Sequence, residues 1–134
     1  MLDTIRSART TGLFRRLGID ERSIKVAVVG AGLIGGQHAQ SFAANPRAEL
    51  VICDADADRA ATVAAQFGCV AATSLAEVAN ADVDLVAIAT PDFAHHAPAI
   101  ALLEAGKHLV IEKPLTTSIA EAVEIVNLAE RLQP

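Results

Sequence analysis

Ile24-Lys25-Val26-Ala27-Val28-Val29-Gly30-Ala31-Gly32-Leu33-Ile34-Gly35-Gly36 is the stretch that decides how this chain is read. An apolar run rich in β-branched residues favours an extended strand. It breaks into three glycines spaced G-x-G-x-x-G, after which a helical pattern begins. Each glycine answers a separate demand: Gly30 makes a tight turn, Gly32 leaves room for a pyrophosphate against the backbone, and Gly35 lets the helix pack on the strand. The helix start then offers unpaired N–H groups and a partial positive charge to phosphates. A glycine motif by itself is weak evidence, because sharp turns use glycine too. The next apolar run, Ala48 to Cys53, ends at Asp54, 19 residues after Gly35. That is about where a carboxylate for an adenosine ribose belongs. The two signals together point to dinucleotide binding.

Working outward, short apolar runs alternate with helical patterns, which predicts βαβ units and a parallel sheet. Helices are expected over Leu33 to Ala44, ended by Asn45-Pro46, and over Asp56 to Phe67, stopped by Gly68. Cys69 to Ala72 reads as a short strand. Ser74 caps a short helix through Asn80, with Glu77 as its capping-box partner. Val83 to Ala89 is apolar apart from Asp84, as a strand buried on both faces requires. After the Thr90-Pro91-Asp92 turn a helix runs from Phe93 to Ala105, and Pro98 either starts it or kinks it. His108 to Ile111 is a fifth strand. Ser118 and Glu121 open a last helix, Ile119 to Leu132, with an apolar stripe of Ala122, Ile125, Val126 and Ala129. The expected fold is α/β, a doubly wound parallel Rossmann sheet of strand order 3-2-1-4-5 with helices on both faces.

Size and composition fit one such domain, residues 24–134, behind an N-terminal extension of residues 1–23. The chain has 134 residues, 52% of them hydrophobic and 20% charged, so it can build a core and is not a disordered polymer. Its formal net charge of −5 argues against nucleic acid. Apolar runs fall short of the roughly 18 residues that span a membrane, and a cytoplasmic protein without a signal core is expected. Cys53 and Cys69 sit in apolar runs without metal or redox spacing, so buried reduced thiols and no metal site are expected. Residues 1–23 hold five arginines, and Leu2, Ile5, Leu13 and Leu17 fall near one helical stripe. A docked amphipathic helix and a solvated extension are both open readings. The Arg15-Arg16 pair lacks the apolar segment that an export signal needs.

Four clusters carry a resemblance. Gly30-Ala31-Gly32-Leu33-Ile34-Gly35 with His38, Thr90-Pro91-Asp92-Phe93-Ala94-His95, Ala105-Gly106-Lys107-His108 and Glu112-Lys113-Pro114-Leu115 resemble the N-terminal half of the Gfo/Idh/MocA oxidoreductases. Glucose-fructose oxidoreductase and inositol dehydrogenases are members of that family. The resemblance covers about residues 24 to 132, and Glu-Lys-Pro after a fifth strand is its most telling part. It implies a nicotinamide cofactor held by Gly30, Gly32, Leu33, Ile34 and Gly35, with the adenosine ribose near Asp54. Thr90 and Pro91 would border the cofactor, His95 would face its cleft, and Glu112 and Lys113 would lie near the nicotinamide. Lys113 is the catalytic candidate, orienting a sugar or polyol hydroxyl. Relatives usually carry Asn where this chain has Asp92, a change that keeps a turn-forming residue. His38 is expected to pack or cap rather than to catalyse.

Family members continue into a second domain that supplies most substrate contacts. The expected function is therefore the nucleotide-binding domain of an NAD-dependent oxidoreductase, inactive alone. The alternative is a stand-alone NAD-binding sensing or assembly module. NAD is expected over NADP, because Asp54 is followed by Ala55 and not by a basic residue. A bare sheet edge near Leu109 to Ile111 leads to an expectation of self-association as a homo-oligomer.

Overall fold

The computed structural model describes residues 22–132. The two readings of the N-terminal extension lie outside them. Five parallel strands form one sheet in the order β3-β2-β1-β4-β5. They are β1 (Ile24–Val29), β2 (Ala48–Cys53), β3 (Val70–Ala72), β4 (Leu85–Ile88) and β5 (His108–Ile111). The intervening helices are α1 (Leu33–Ala43), α2 (Ala57–Phe67), α3 (Leu75–Asn80) and α4 (His96–Glu104), with α5 (Ile119–Leu132) following β5. The strand order and class are those the sequence pattern predicts.

Alternation along β1 sends its side chains to two cores. Val28, with Ile52 and Ala87, packs against Ala39 of α1 and Ala64 of α2. Ala27 and Val29, with Val86 and Ile88, pack on the other face against Val78 of α3, Ala99 and Leu102 of α4, and Ile125 of α5. Burial on both faces is why β1 and β4 read as continuous apolar runs. Asp84, the charged residue before β4, is explained by the edge it serves. Its carboxylate accepts from the Lys25 N–H at 2.9 Å, and its carbonyl accepts from the His108 N–H at 3.0 Å. Asp84 thus aligns the beginnings of three adjacent strands.

Several boundaries differ from expectation for local reasons. The helix expected over Phe93 to Ala105 divides into a 3-10 turn, Asp92–Ala94, and α4. Pro98 falls in the first turn of α4, where its missing N–H costs no helical bond. The capping box at Ser118 is half formed. The Ser118 hydroxyl accepts from Glu121 N–H at 3.4 Å, whereas the Ser118 N–H is taken by the Thr116 hydroxyl at 3.3 Å. On α5 the buried residues are Ile125 and Leu128, and Val126 is 46% exposed, so the expected stripe is rotated toward Leu128.

The joint between β1 and α1 is close-packed. A Cβ placed on Gly35 would stand 1.7 Å from the Gly30 carbonyl oxygen. Gly30 itself has φ +100°, and a Cβ there would lie 2.6 Å from the Ala89 carbonyl carbon. Gly36, one residue on, would meet nothing within 4 Å. Gly35→Ala is therefore expected to lower stability by about 3 kcal/mol or more, since backbone must move. Gly36→Ala is expected to raise it by about 0.5–1 kcal/mol through helix propensity. Urea unfolding of the two variants checks both signs.

Candidate functional site

All five strands run the same way, so their C-terminal ends share one edge, where ligands of open α/β sheets bind. A groove of about 610 Å³ lies there, lined by Gly30, Gly32, Leu33, Ile34, Asp54, Thr90 and Pro91 among others. Seven of the residues singled out from sequence thus converge on one space. Gly32 leaves it open, because a Cβ there would meet nothing within 4 Å. Leu33 is 80% exposed and forms the outer lip. Gly35 stands behind the groove and shapes it through the contact with Gly30.

Asp54 does more than end β2. Its Oδ2 accepts from the Ala31 N–H at 2.8 Å, and its Oδ1 accepts from the Asp56 N–H at 2.8 Å. The carboxylate therefore ties the glycine loop to the start of α2 while its side chain is only 11% exposed. Each oxygen has a second lone pair, so a ribose diol can still bond there. Sequence reading missed the neighbouring cation. Arg59, in the first turn of α2, places Nη1 3.6 Å from Asp54 Oδ2 and Nη2 3.7 Å from Asp56 Oδ2. It also lines the groove. The premise that Asp54 has no basic partner is thus incorrect: the partner comes from five positions on, one turn into the helix, rather than from position 55. A helix whose first turn faces the strand end is the signal that could have found it.

His95 lies elsewhere than expected. It is 1% exposed, with Nδ1 3.0 Å from the carbonyl oxygens of Pro114 and Leu115 and Nε2 2.9 Å from that of Thr90. Both ring nitrogens are engaged by main-chain acceptors, so the ring bridges two loops and does not face the groove. The bridged loops are the ones that matter, since Thr90 lines the groove and Pro114 follows Lys113. Thr90 also donates to the Ala94 carbonyl at 3.1 Å, which fixes the intervening turn.

Glu112 and Lys113 leave β5 beside this bridge. The Glu112 N–H extends the sheet ladder to Ile88 at 3.0 Å. Its carboxylate meets His38 of α1, with Oε1 2.6 Å from Nε2. The bond with His38 holds the Glu112 carboxyl below its ordinary range, with burial opposing and the charges of His38 and Lys113 assisting. His38 also stacks on Phe42 at a centroid separation of 6.4 Å. The expected packing role is met, and a hydrogen bond to Glu112 is added. Lys113 is exposed at the sheet edge and, like Glu112 and His95, is not among the groove-lining residues. Cys53 forms part of the groove wall, and burial first, then the charges of Asp54 and Glu77, push its thiol up to about 11. It is thus an apolar surface rather than a nucleophile. Among the described residues no cluster of His, Cys, Asp or Glu could hold a metal, and no helix is long and apolar enough to cross a membrane.

Two expectations follow from these contacts. His95→Ala removes a buried ring and the hydrogen bonding between the Thr90 and Pro114–Leu115 main chains that it mediates, so a loss of about 3 kcal/mol is expected in chemical denaturation. The His38–Glu112 pair should show in pH. A carboxyl held lower in the folded state adds stability that is present above about pH 4.3, the ordinary glutamate value, and is lost as pH falls through the folded value. Carbon-detected NMR titration should place Glu112 below the ordinary glutamate value, and His38→Gln should move it back toward that value.

Comparison with known proteins agrees with this geometry. Residues 24–133 match the family described as an oxidoreductase family with an NAD-binding Rossmann fold, the Gfo/Idh/MocA family. The chain is 39% identical over 107 residues to UDP-N-acetylglucosamine 3-dehydrogenase from Acidithiobacillus ferrooxidans, covering 80% of this chain and 34% of that protein. The solved structure of that enzyme superimposes with a TM-score of 0.77, covering 82% of this chain and 36% of the other. Inositol 2-dehydrogenase 1 from Saccharopolyspora erythraea is 36% identical over 109 residues, covering 78% of this chain and 32% of that protein. GenD2 from gentamicin A biosynthesis, solved in complex with NAD, is 34% identical with a TM-score of 0.79, covering 83% of this chain and 32% of the other. The chain thus spans about a third of the length of these relatives. It belongs to the Gfo/Idh/MocA oxidoreductase family, and its described residues form that family's NAD-binding Rossmann fold.

Proposed function

We propose that residues 24–134 form the dinucleotide-binding domain of an NAD-dependent oxidoreductase acting on a hydroxyl of a sugar, polyol or related compound, and that the chain does not turn substrate over by itself. The observation that carries the reading is the opening at Gly32, framed by the Gly30–Gly35 contact and closed at its far end by Asp54. A backbone cradle beside a helix start suits a pyrophosphate, and a buried carboxylate with spare lone pairs suits a ribose diol. The groove volume lies in the range of cofactor sites. Hydride acceptance is the chemistry that a bound nicotinamide supplies.

In this reading Leu33 and Ile34 flank the phosphates, and Thr90 and Pro91 form the wall along the cofactor. Lys113 is the catalytic candidate, since it projects from the strand edge where a substrate hydroxyl would be oriented. Glu112 supports it through the bond to His38, and His95 supports it by holding the Pro114 and Thr90 loops together. Direct cofactor contact by His95 and Glu112 is replaced here by this positioning role. Catalysis needs base, substrate and cofactor in one geometry. In the described residues Lys113 is exposed, with no wall of the groove opposite it. That is the basis for expecting binding without turnover. A cytoplasmic location and self-association through the β5 edge, where Val110 is 47% exposed, complete the proposal.

The test uses the protein's lack of tryptophan, which leaves NADH fluorescence unobscured. NADH is expected to bind, and to bind more tightly than NADPH. Gly32→Ala should weaken NADH by about tenfold or more with the unfolding midpoint unchanged, since its Cβ enters only the phosphate space. A polyol and sugar panel with NAD is expected to give no NADH. Unaltered NADH affinity in Gly32→Ala would overturn the assignment of the groove.

A further inference from the structure

Helix α5 carries apolar side chains on two opposite sides. Ile125 and Leu128 are buried, whereas Ile119, Val123 and Val126 are 86%, 51% and 46% exposed. A spacing of four and then three residues puts the exposed trio on one stripe along the helix, facing away from the core. A helix that is apolar on both sides belongs between two layers, and among the described residues only the inner layer is present, where Ile125 packs with Ala99 and Leu102 of α4. β-Branched side chains are poor choices for a solvated helix face, because they lose rotamer freedom there without gaining burial.

We propose that residues 1–21 lie along the outer face of α5 in the same chain, covering Ile119, Val123 and Val126 with their own apolar side chains and presenting their arginines to Glu124 and Glu130. The place where the described chain begins favours this occupant. Arg22 and His108 line one cavity at the start of β1, and His108 lines a second together with Leu132, the last residue of α5. His108 is common to both, so the chain enters the described part close to the end of α5. From Leu132 back to Ile119 the helix has 14 residues, roughly 21 Å at a rise of 1.5 Å per residue. The preceding 21 residues reach that far even if helical, since such a helix spans about 31 Å. Composition agrees with position. Leu2, Ile5, Leu13 and Leu17 supply apolar groups, and over residues 1–19 Arg6, Arg9, Arg15 and Arg16 stand against one acid, Asp3. α5 has the opposite balance, with Glu121, Glu124 and Glu130 against Arg131. Apolar contact supplies the energy and charge sets the alignment, because exposed ion pairs contribute little by themselves. The assignment is independent of what the groove at the other end of the sheet binds.

Methyl-labelled NMR on the full chain tests this. Nuclear Overhauser contacts are expected between the methyls of Ile119, Val123 and Val126 and those of Leu2, Ile5, Leu13 or Leu17. Amide exchange over residues 5–17 is expected to be about tenfold or more slower than in an unstructured chain. Val123→Lys, at an exposed position outside the core, should abolish both signals and lower the unfolding midpoint, and Leu13→Ser should do the same from the other side. Unshifted methyl signals of Val28 and Ile88 report that the core of each variant is intact. If the face is solvated, Val123→Lys raises the midpoint instead, because lysine is the better helix former. That result, with no contacts and unprotected amides in the wild-type chain, overturns the proposal. Contacts found only between differently labelled copies in a mixed sample also overturn it, in favour of a second copy of this chain on α5.

Discussion

The close approach of Gly35 to the Gly30 carbonyl is the constraint on which the rest of the structure depends. With 1.7 Å between that oxygen and any Cβ at Gly35, only a hydrogen fits, and α1 starts directly against the end of β1. Two consequences come from that single contact. The helix start is aimed along the C-terminal sheet edge, and the loop between Gly30 and Gly32 is left with main-chain N–H groups and no side-chain bulk. Asp54 secures the arrangement from the next strand by accepting from Ala31. In the function proposed above, the carboxylate that would take a ribose is therefore also part of the scaffold that shapes the glycine loop. Structure and binding share one residue here, and the two roles are compatible because a carboxylate has about four acceptor sites.

The far end of the groove is organised by polar bridges between loops rather than by close packing. Lys113 sits on a loop with little to hold it, since β5 is the sheet's edge strand among the described residues. Two histidines supply the restraint. His38 reaches from α1 to Glu112, and His95 reaches from the start of α4 to Pro114, Leu115 and Thr90. Each connects the lysine's loop to an element that also borders the groove. The pair differ in environment: His95 is fully buried, so its bonds are made away from competing water, whereas His38 and Glu112 are a quarter to a third exposed and their bond is correspondingly tempered by solvent. Specifying a position for an edge-strand lysine with hydrogen bonds fits its chemistry, because an apolar cover would desolvate the ammonium.

What was legible in the sequence follows from how local each determinant is. Strand order, helix placement and the glycine loop depend on periodicity and on residues within one βα unit, and they came out as expected. Gly68 at the end of α2 is a case in point, with φ +64° as a left-handed stop requires. The split at Asp92–Ala94 was harder, because Phe93 and Ala94 are compatible with either a helix or a tight turn, and the choice is made by Thr90 bonding to Ala94. Of the expected site, the residues of the loop and of the strand ends line one groove. What sequence could not supply are partners distant along the chain: His95 is 19 residues from Pro114, and His38 is 74 from Glu112. A family resemblance marks such a histidine as noteworthy without saying which way its ring points.

Arg59 shows a different limit. Its distance from Asp54 is short in sequence, yet the residue directly after Asp54 is Ala55, so the strand end shows no adjacent basic residue. Geometry widens the search. Asp56 caps α2, so the first helical turn folds back over the strand end, and the residue three after the cap is returned to the side of Asp54. A cation there is stabilised by two carboxylates although it lies at a helix start, where the backbone dipole disfavours positive charge. The paired aspartates outweigh the dipole because they are full charges at 3.6 and 3.7 Å, while the dipole contributes about half a charge. The arginine is thus held where it is by charges belonging to the groove, and any anion that enters at this end competes with them for it.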